Sequence, residues 1–176
     1  MSRLEPVLLL ALTLGASAAP AKPEPEFGAP VSAQELARYV AIPPSGSGLP
    51  SGRGDVAEGK QVYLAKCIAC HGEHLEGVKE TGGAALVGGR GTLASAKPLK
   101  TVESYWPYAT TVFDYVKRAM PFNAPGSLSD DEVYAVTAFV LASGGVIPDT
   151  AALDAQTLPR VKMPNWKGFY PDPRPK

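Results

Sequence analysis

The sequence predicts an all-α fold with irregular, Pro/Gly-rich extensions at both ends. Three observations carry that expectation. Asp55-Val56-Ala57-Glu58 and Ser129-Asp130-Asp131-Glu132 are capping boxes, and each opens a run with apolar residues at three- and four-residue steps. Between them, Val112, Phe113 and Val116 give a third run its apolar face, which ends at Met120-Pro121. The first run leads into Cys67-Ile68-Ala69-Cys70-His71, the stretch round which the rest of the chain is organised.

Composition narrows the class. The chain has 176 residues, enough for one domain with extensions. Its formal charge is zero, which argues against nucleic-acid binding. Glycine and proline number 18 each, which implies long ordered loops or tails. Both cysteines lie in the one motif, so there is no disulfide framework.

In chain order, residues 1–19 read as a secretory signal. Arg3 gives the positive start, Val7 to Gly15 the apolar core, and Ala16-Ser17-Ala18 the cleavage site. The apolar run is well short of the ~20 residues that span a bilayer, so no membrane span is expected after cleavage. Residues 20–54 form a linker, with a short helix opened by the Ser32-Ala33-Gln34-Glu35 box and running to about Val40.

The main domain is expected over residues 55–145. Asp55 caps its first helix. Val56, Gly59, Tyr63, Cys67 and Cys70 share one face, which predicts a helix continuous into the cysteine motif. A glycine inside a helix costs about 1 kcal/mol against alanine, and close approach of another helix at Gly59 would offset that cost. From His71 to Leu99 the chain is glycine-rich loop, with Arg90 and Lys100 either solvated surface charge or partners for the carboxylates of a bound cofactor. Thr111 is expected to cap the next helix, with Asp114 in its first turn. The last helix runs from the Ser129 box to about Ala142, stops at Gly144-Gly145, and has the wide apolar arc of a buried element. Residues 146–176 read as a Pro-rich ordered wrap with a frayed end.

Cys-x-x-Cys-His is the attachment signature of c-type haem. Two sulfurs on one turn reach the two vinyl groups of one porphyrin edge, and the following histidine reaches the iron. Cys67 and Cys70 are therefore the covalent ligands and His71 the proximal axial ligand of one haem c. Three other readings compete. A redox Cys-x-x-Cys needs a βαβ context. Zinc held by Cys67, Cys70, His71 and His74 would strain four ligands into eight residues. A Cys67–Cys70 disulfide closes too small a loop to stabilise much. Export fits the haem reading, because c-type haem is attached outside the bacterial cytoplasm; the expected location is the periplasm or another exported compartment.

For the second axial position, His74 follows His71 too closely to cross to the distal face. Met120 sits in a loop braced by Pro121 and Pro125 and is the preferred sixth ligand. Met163, in a similar Met-Pro context in the tail, stays open, as does an open iron site, and core filling is the plain role for either methionine.

Helix, Cys-x-x-Cys-His, glycine-rich loop, Met-Pro loop and capped last helix, in that order from Asp55 to Gly145, resemble class I cytochrome c. The resemblance implies that fold, with first and last helices crossing at Gly59, Tyr63, Tyr134 and Phe139, and His71 and Met120 as axial ligands. A narrower similarity lies in Lys97 to Val102, Tyr105 to Thr111, Arg118-Ala119-Met120-Pro121-Phe122, Asp131 to Phe139, and Leu158-Pro159 with Met163-Pro164-Asn165. These look like the cytochrome subunits of bacterial molybdenum sulfite and sulfane dehydrogenases. Where that family usually has Asn-Arg-Asp-Gly, this chain reads Asn165-Trp166-Lys167-Gly168.

The expectation is a monohaem, one-electron carrier rather than an enzyme. The resemblance implies a molybdenum sulfite-type dehydrogenase as donor, in sulfur-compound oxidation. Another cytochrome or a terminal oxidase would be the acceptor. The alternatives are a carrier for a different exported dehydrogenase or respiratory chain, a haem enzyme with an open iron site, and a haem-based sensor of small ligands. Docking is expected at Ile68, Ala69, the Met120-Pro121-Phe122 loop and Ala124, with Lys66, Lys79 and Lys117 as a charged rim.

Overall fold

The computed structural model describes residues 41–174, together with Gly28, Pro30, Val31, Ser32 and Glu35. The expected signal and most of the short helix before Val40 lie outside the described residues. The chain divides into Met1–Arg38 and Tyr39–Lys176. In the first unit Ser32 Oγ accepts from Glu35 N, and Ser32 N donates to Glu35 Oε2, which is capping-box geometry.

The second unit is mostly helical. A short strand β1 (Arg53–Asp55) runs directly into helix α1 (Val56–Lys66), followed by a one-turn helix α2 (Ile68–His71). Helices α3 (Ala109–Ala119) and α4 (Asp130–Ser143) come next, then strand β2 (Ala152–Asp154). Single 3-10 turns lie at Lys79–Thr81 and Leu158–Arg160.

Both expected capping boxes are formed. Asp55 and Ser129 each accept from the backbone N–H three residues on, and Glu58 and Glu132 reach back to the cap N–H. The start of α3 differs from expectation. Tyr108 is its N-cap, without a side-chain bond, and Thr111 lies inside the first turn. Thr111 Oγ1 donates to Tyr108 O and accepts from Trp106 Nε1, so the indole has taken the hydroxyl. Asp114 falls one turn further in and is buried. It accepts from Ile42 N at 2.9 Å and from both arms of Arg118, which ties residues 41–44 to α3.

Helix α4 is the centre of the core. Val133, Tyr134, Ala138 and Leu141 are fully buried. Helix α1 crosses it at Gly59, where an added Cβ would overlap the Ala135 carbonyl and stand 2.8 Å from Phe139 Cβ. Tyr63 packs on Phe139 with ring centroids 5.1 Å apart. On the other side Tyr134 packs on Phe113 of α3 at 4.4 Å and donates to Pro50 O. Gly54 of β1 also meets the Ala135 backbone, so strand and helix approach α4 from adjoining sides.

The sheet is what the sequence did not predict. β1 and β2 pair antiparallel, with Gly54 opposite Leu153. The segment after Gly145 is therefore stitched to the segment before α1. Leu153, Leu158 and Met163 are buried in the same core. Residues 146–163 wrap the helical domain as an ordered arm.

Candidate functional site

The cysteine motif does not continue α1. Cys67 takes φ −122° and ψ −34°, ends α1 through its N–H to Tyr63 O, and starts the separate turn α2. Residues 68–71 form that turn, closed by His71 N and Gly72 N onto Cys67 O and Ile68 O at 2.9 Å each. The break lets the motif leave the α1–α4 packing direction, and Cys70 is exposed while Cys67 is half-buried.

The turn is held from behind by the glycine-rich segment. Tyr63 OH donates to Gly72 O at 2.7 Å, and burial pushes that phenol up to about 12. Gly77 N donates to His71 O, and Val78 N to Cys70 O. Gly83 comes so close that a Cβ there would overlap the Cys70 carbonyl, which explains a glycine at that place. His71 Nδ1 lies 2.7 Å from Ala84 O; a carbonyl only accepts, so Nδ1 carries a proton, and in the neutral ring Nε2 is the lone-pair nitrogen. An imidazole oriented through one nitrogen and free at the other is the arrangement of an axial ligand.

Burial, and then the neighbouring Cys70, push the Cys67 thiol up to about 11. Among the described residues no three His, Cys, Asp or Glu side chains gather as a metal site, so Cys67, Cys70, His71 and His74 do not form a zinc cage.

The loop after α3 stands across a cleft from the motif. The cleft is lined by Ala65 to Ala69 on one side and by Pro121, Asn123, Ala124 and Ser127 on the other. Met120 is the C-cap of α3, half-buried beside this lining. Met163 is 1% exposed, inside the core cluster. The sequence preferred Met120 and kept Met163 as the alternative; here Met163 fills the core, and Met120 is half-buried next to Pro121, which lines the cleft. Phe122 is 85% exposed at the rim. Lys66 lines the cleft, whereas Lys117 is ion-paired with Asp130 and is not free to steer a partner.

Arg90 and Lys100 are also engaged. Arg90 pairs with Glu103 at 2.6 Å and donates to Gly144 O, and Glu103 in turn accepts from Gly88 N. Lys100 lies over the Tyr105 ring, 5.2 Å from its centroid. Sequence reasoning missed Ala84, Glu103 and the anchoring role of Tyr63. A backbone carbonyl leaves no signal of its own; the neighbouring Gly82-Gly83 pair is the nearest hint of close approach.

The donor set fits a covalent haem: two thiols at the ends of one turn, and an imidazole oriented through Nδ1 that would leave Nε2 for iron. A helical fold with this motif between its first helix and a glycine-rich loop defines a c-type, haem-bearing electron-transfer protein. The cytochrome c family model matches residues 56–143, half of the chain, and the chain belongs to the cytochrome c family.

Thiosulfate dehydrogenase of Stutzerimonas stutzeri (strain A1501) is 32% identical over 96 residues, 52% of this chain and 28% of that protein. Thiosulfate dehydrogenase of Allochromatium vinosum is 33% identical over 87 residues, 49% of this chain and 31% of that protein. The chain spans about a third of the length of these curated relatives. A chain in the crystal structure of the sulfane dehydrogenase SoxCD from Paracoccus pantotrophus is similar at TM-score 0.75 and 42% identity, covering 84% of this chain and 72% of that one. The family is one that binds haem c covalently and carries electrons, and its members of this kind are typically exported. Among the described residues no helix is long and apolar enough to cross a membrane.

Proposed function

We propose that this cytochrome carries one haem on Cys67 and Cys70, with His71 and Met120 as axial ligands. On this reading it takes electrons one at a time from a molybdenum sulfite-type dehydrogenase in an exported compartment. The observation that carries the reading is the oriented His71 imidazole on a turn that shares one cleft with the Met120-Pro121 loop. Bound haem supplies a one-electron ferric/ferrous couple.

The chain's own residues do the rest. Tyr63, Gly77 and Val78 hold the backbone of the turn, and Ala84 O fixes the imidazole. Two axial ligands leave no position for a substrate, so bond chemistry stays with the donor. The donor class is supported by the likeness to a sulfane dehydrogenase structure and by the relatives' names. Another cytochrome or a terminal oxidase would take the electrons onward. The relatives named thiosulfate dehydrogenase also favour a second reading, a haem enzyme acting on sulfur compounds, and Met120 separates the two.

The mature protein should exceed its chain mass by one haem, and acid-acetone extraction should leave the colour on the protein. Met120→Ala should abolish the weak far-red absorption of iron–methionine bonding, while Met163→Ala keeps it. The opposite pattern moves the ligand to the tail, and no such band in the unaltered protein favours the enzyme reading.

For the donor, stopped-flow mixing with a sulfite dehydrogenase and sulfite should reduce the protein rapidly. Failure there removes the donor and leaves the electron carrier intact.

A further inference from the structure

The arm after Gly145 carries a surface that the haem site does not use. Trp166 is 42%, Phe169 53% and Tyr170 84% exposed. They are not loose. Asn165 Nδ2 donates to Tyr105 O at 2.7 Å, Gly168 N donates to Asn165 O, and Phe169 packs edge-on against Tyr105 at 5.2 Å.

Cations are set on the same rings. Lys162 and Lys167 stand 5.2 and 4.7 Å from the Trp166 centroid, and Lys100 stands over Tyr105. All three lysines are exposed. Between Arg160 and Pro171 the sequence has no carboxylate, in a chain whose formal charge is zero. Glu103, the nearest carboxylate in sequence to Lys100, is spent on Arg90 and Gly88 N. The face is therefore locally positive, with an aromatic centre.

We propose that this face is a second docking surface, which receives the acidic, apolar-centred surface of the dehydrogenase that reduces this cytochrome. The identity of that enzyme rests on the function proposed above; the face rests on its own residues. Its chemistry selects a protein. Tryptophan, tyrosine and phenylalanine are the residues that anchor protein interfaces. Lysines at a rim act on association rate through carboxylates opposite. Seating each ammonium on a ring restricts it in advance, so less freedom is lost on docking. Segments that bind anionic membranes carry denser runs of cation than Lys162 and Lys167. The face shares no residue with the lining of the cleft beside the cysteine motif, so the two surfaces are separate.

The test is stopped-flow reduction by a sulfite dehydrogenase with sulfite, using three holo-cytochromes: unaltered, Lys100→Glu/Lys162→Glu/Lys167→Glu, and Tyr170→Ser. Dithionite reduction, the visible spectrum and the thermal midpoint are measured alongside. The charge-reversed protein should be reduced about tenfold more slowly at low salt, with a flattened salt dependence. Tyr170→Ser should be slowed several-fold at all salt concentrations, and dithionite rates should match throughout. Zero-length carbodiimide coupling of the unaltered pair should join these lysines to carboxylates of the enzyme.

Equal rates for all three proteins overturn the face and leave the donor standing. An unaltered protein that the enzyme does not reduce overturns both. Lysine-dependent binding to phosphatidylglycerol vesicles with unchanged reduction assigns the face to a membrane and overturns the docking proposal.

Discussion

The crossing of α1 with α4 and the glycine-rich segment from Gly72 to Ser104 solve the same problem in opposite ways. At the crossing, backbone groups bond within each helix, and the two helices are joined by shape: Gly59 against Ala135, Tyr63 against Phe139. The glycine-rich segment has one short 3-10 turn and scattered backbone bonds such as Leu86 N to Leu75 O, and side chains supply much of the rest. Glu103 takes Gly88 N, Thr101 Oγ1 donates to Gly88 O, Ser104 Oγ donates to Leu99 O, and Leu99 N donates to Thr92 Oγ1. Packing tolerates loss of a polar atom and punishes added volume. The loop also has no room for a Cβ at Gly77, Gly83 and Gly89, but it depends besides on single side-chain acceptors, whose loss strands a backbone donor.

The largest effect should come at the crossing. Gly59→Leu must push α1 off the Ala135 backbone, and should cost about 3 kcal/mol by denaturant unfolding of the holoprotein. A variant as stable as the parent would mean that shape does not govern this contact.

Removal of one acceptor should have the next effect. Glu103→Ala strands Gly88 N–H and leaves Arg90 with only Gly144 O, and should cost about 2 kcal/mol, with faster amide exchange at Gly88. If Gly59→Leu and Glu103→Ala both act only on global unfolding, the loop and the helices form one cooperative unit and the contrast is one of chemistry alone.

The smallest effect concerns Asp114, which joins residues 41–44 to α3. Burial opposes its charge, but Arg118 and the Ile42 N–H outweigh it and hold the carboxyl below the ordinary aspartate range. A depressed folded pKa contributes stability above the unfolded pKa, about 4, and loses it as pH falls through the folded one. Asp114→Asn keeps an acceptor for Ile42 N and loses the charge. It should cost about 1 kcal/mol at pH 7, and the difference from the parent should shrink on acidification below about pH 4. A difference that grows with acid would reverse the sign and remove Arg118 as the cause.

The same division governs what could be read in advance. Asp55 with Glu58, and Ser129 with Glu132, announce helix starts because a cap is a local hydrogen bond between residues three apart. Gly59 announced a close approach because a glycine inside a helix needs a reason. The Cys67-x-x-Cys70-His71 motif gave its chemistry through residue type and spacing alone. These are short-range facts, and a sequence states them directly.

Three features needed the folded chain. The helix from Asp55 was expected to run through the cysteines; it breaks at Cys67, because the turn is held by Gly77, Val78 and Gly83 rather than by α1. Thr111 has the composition of a cap, yet Trp106 takes its hydroxyl and Tyr108 becomes the cap residue. Met120 and Met163 sit in like Met-Pro contexts, and only the pairing of β1 with β2 and the burial of Leu158 carry Met163 into the core. The sequence by itself determined the helix starts, the haem-attachment motif and the need for a tight crossing, since each rests on neighbours within one turn. The tertiary structure alone decided which carbonyl orients His71, which methionine is buried in the core and how the two ends of the domain are stitched. Those choices depend on residues brought together from distant parts of the chain, and no local pattern encodes them.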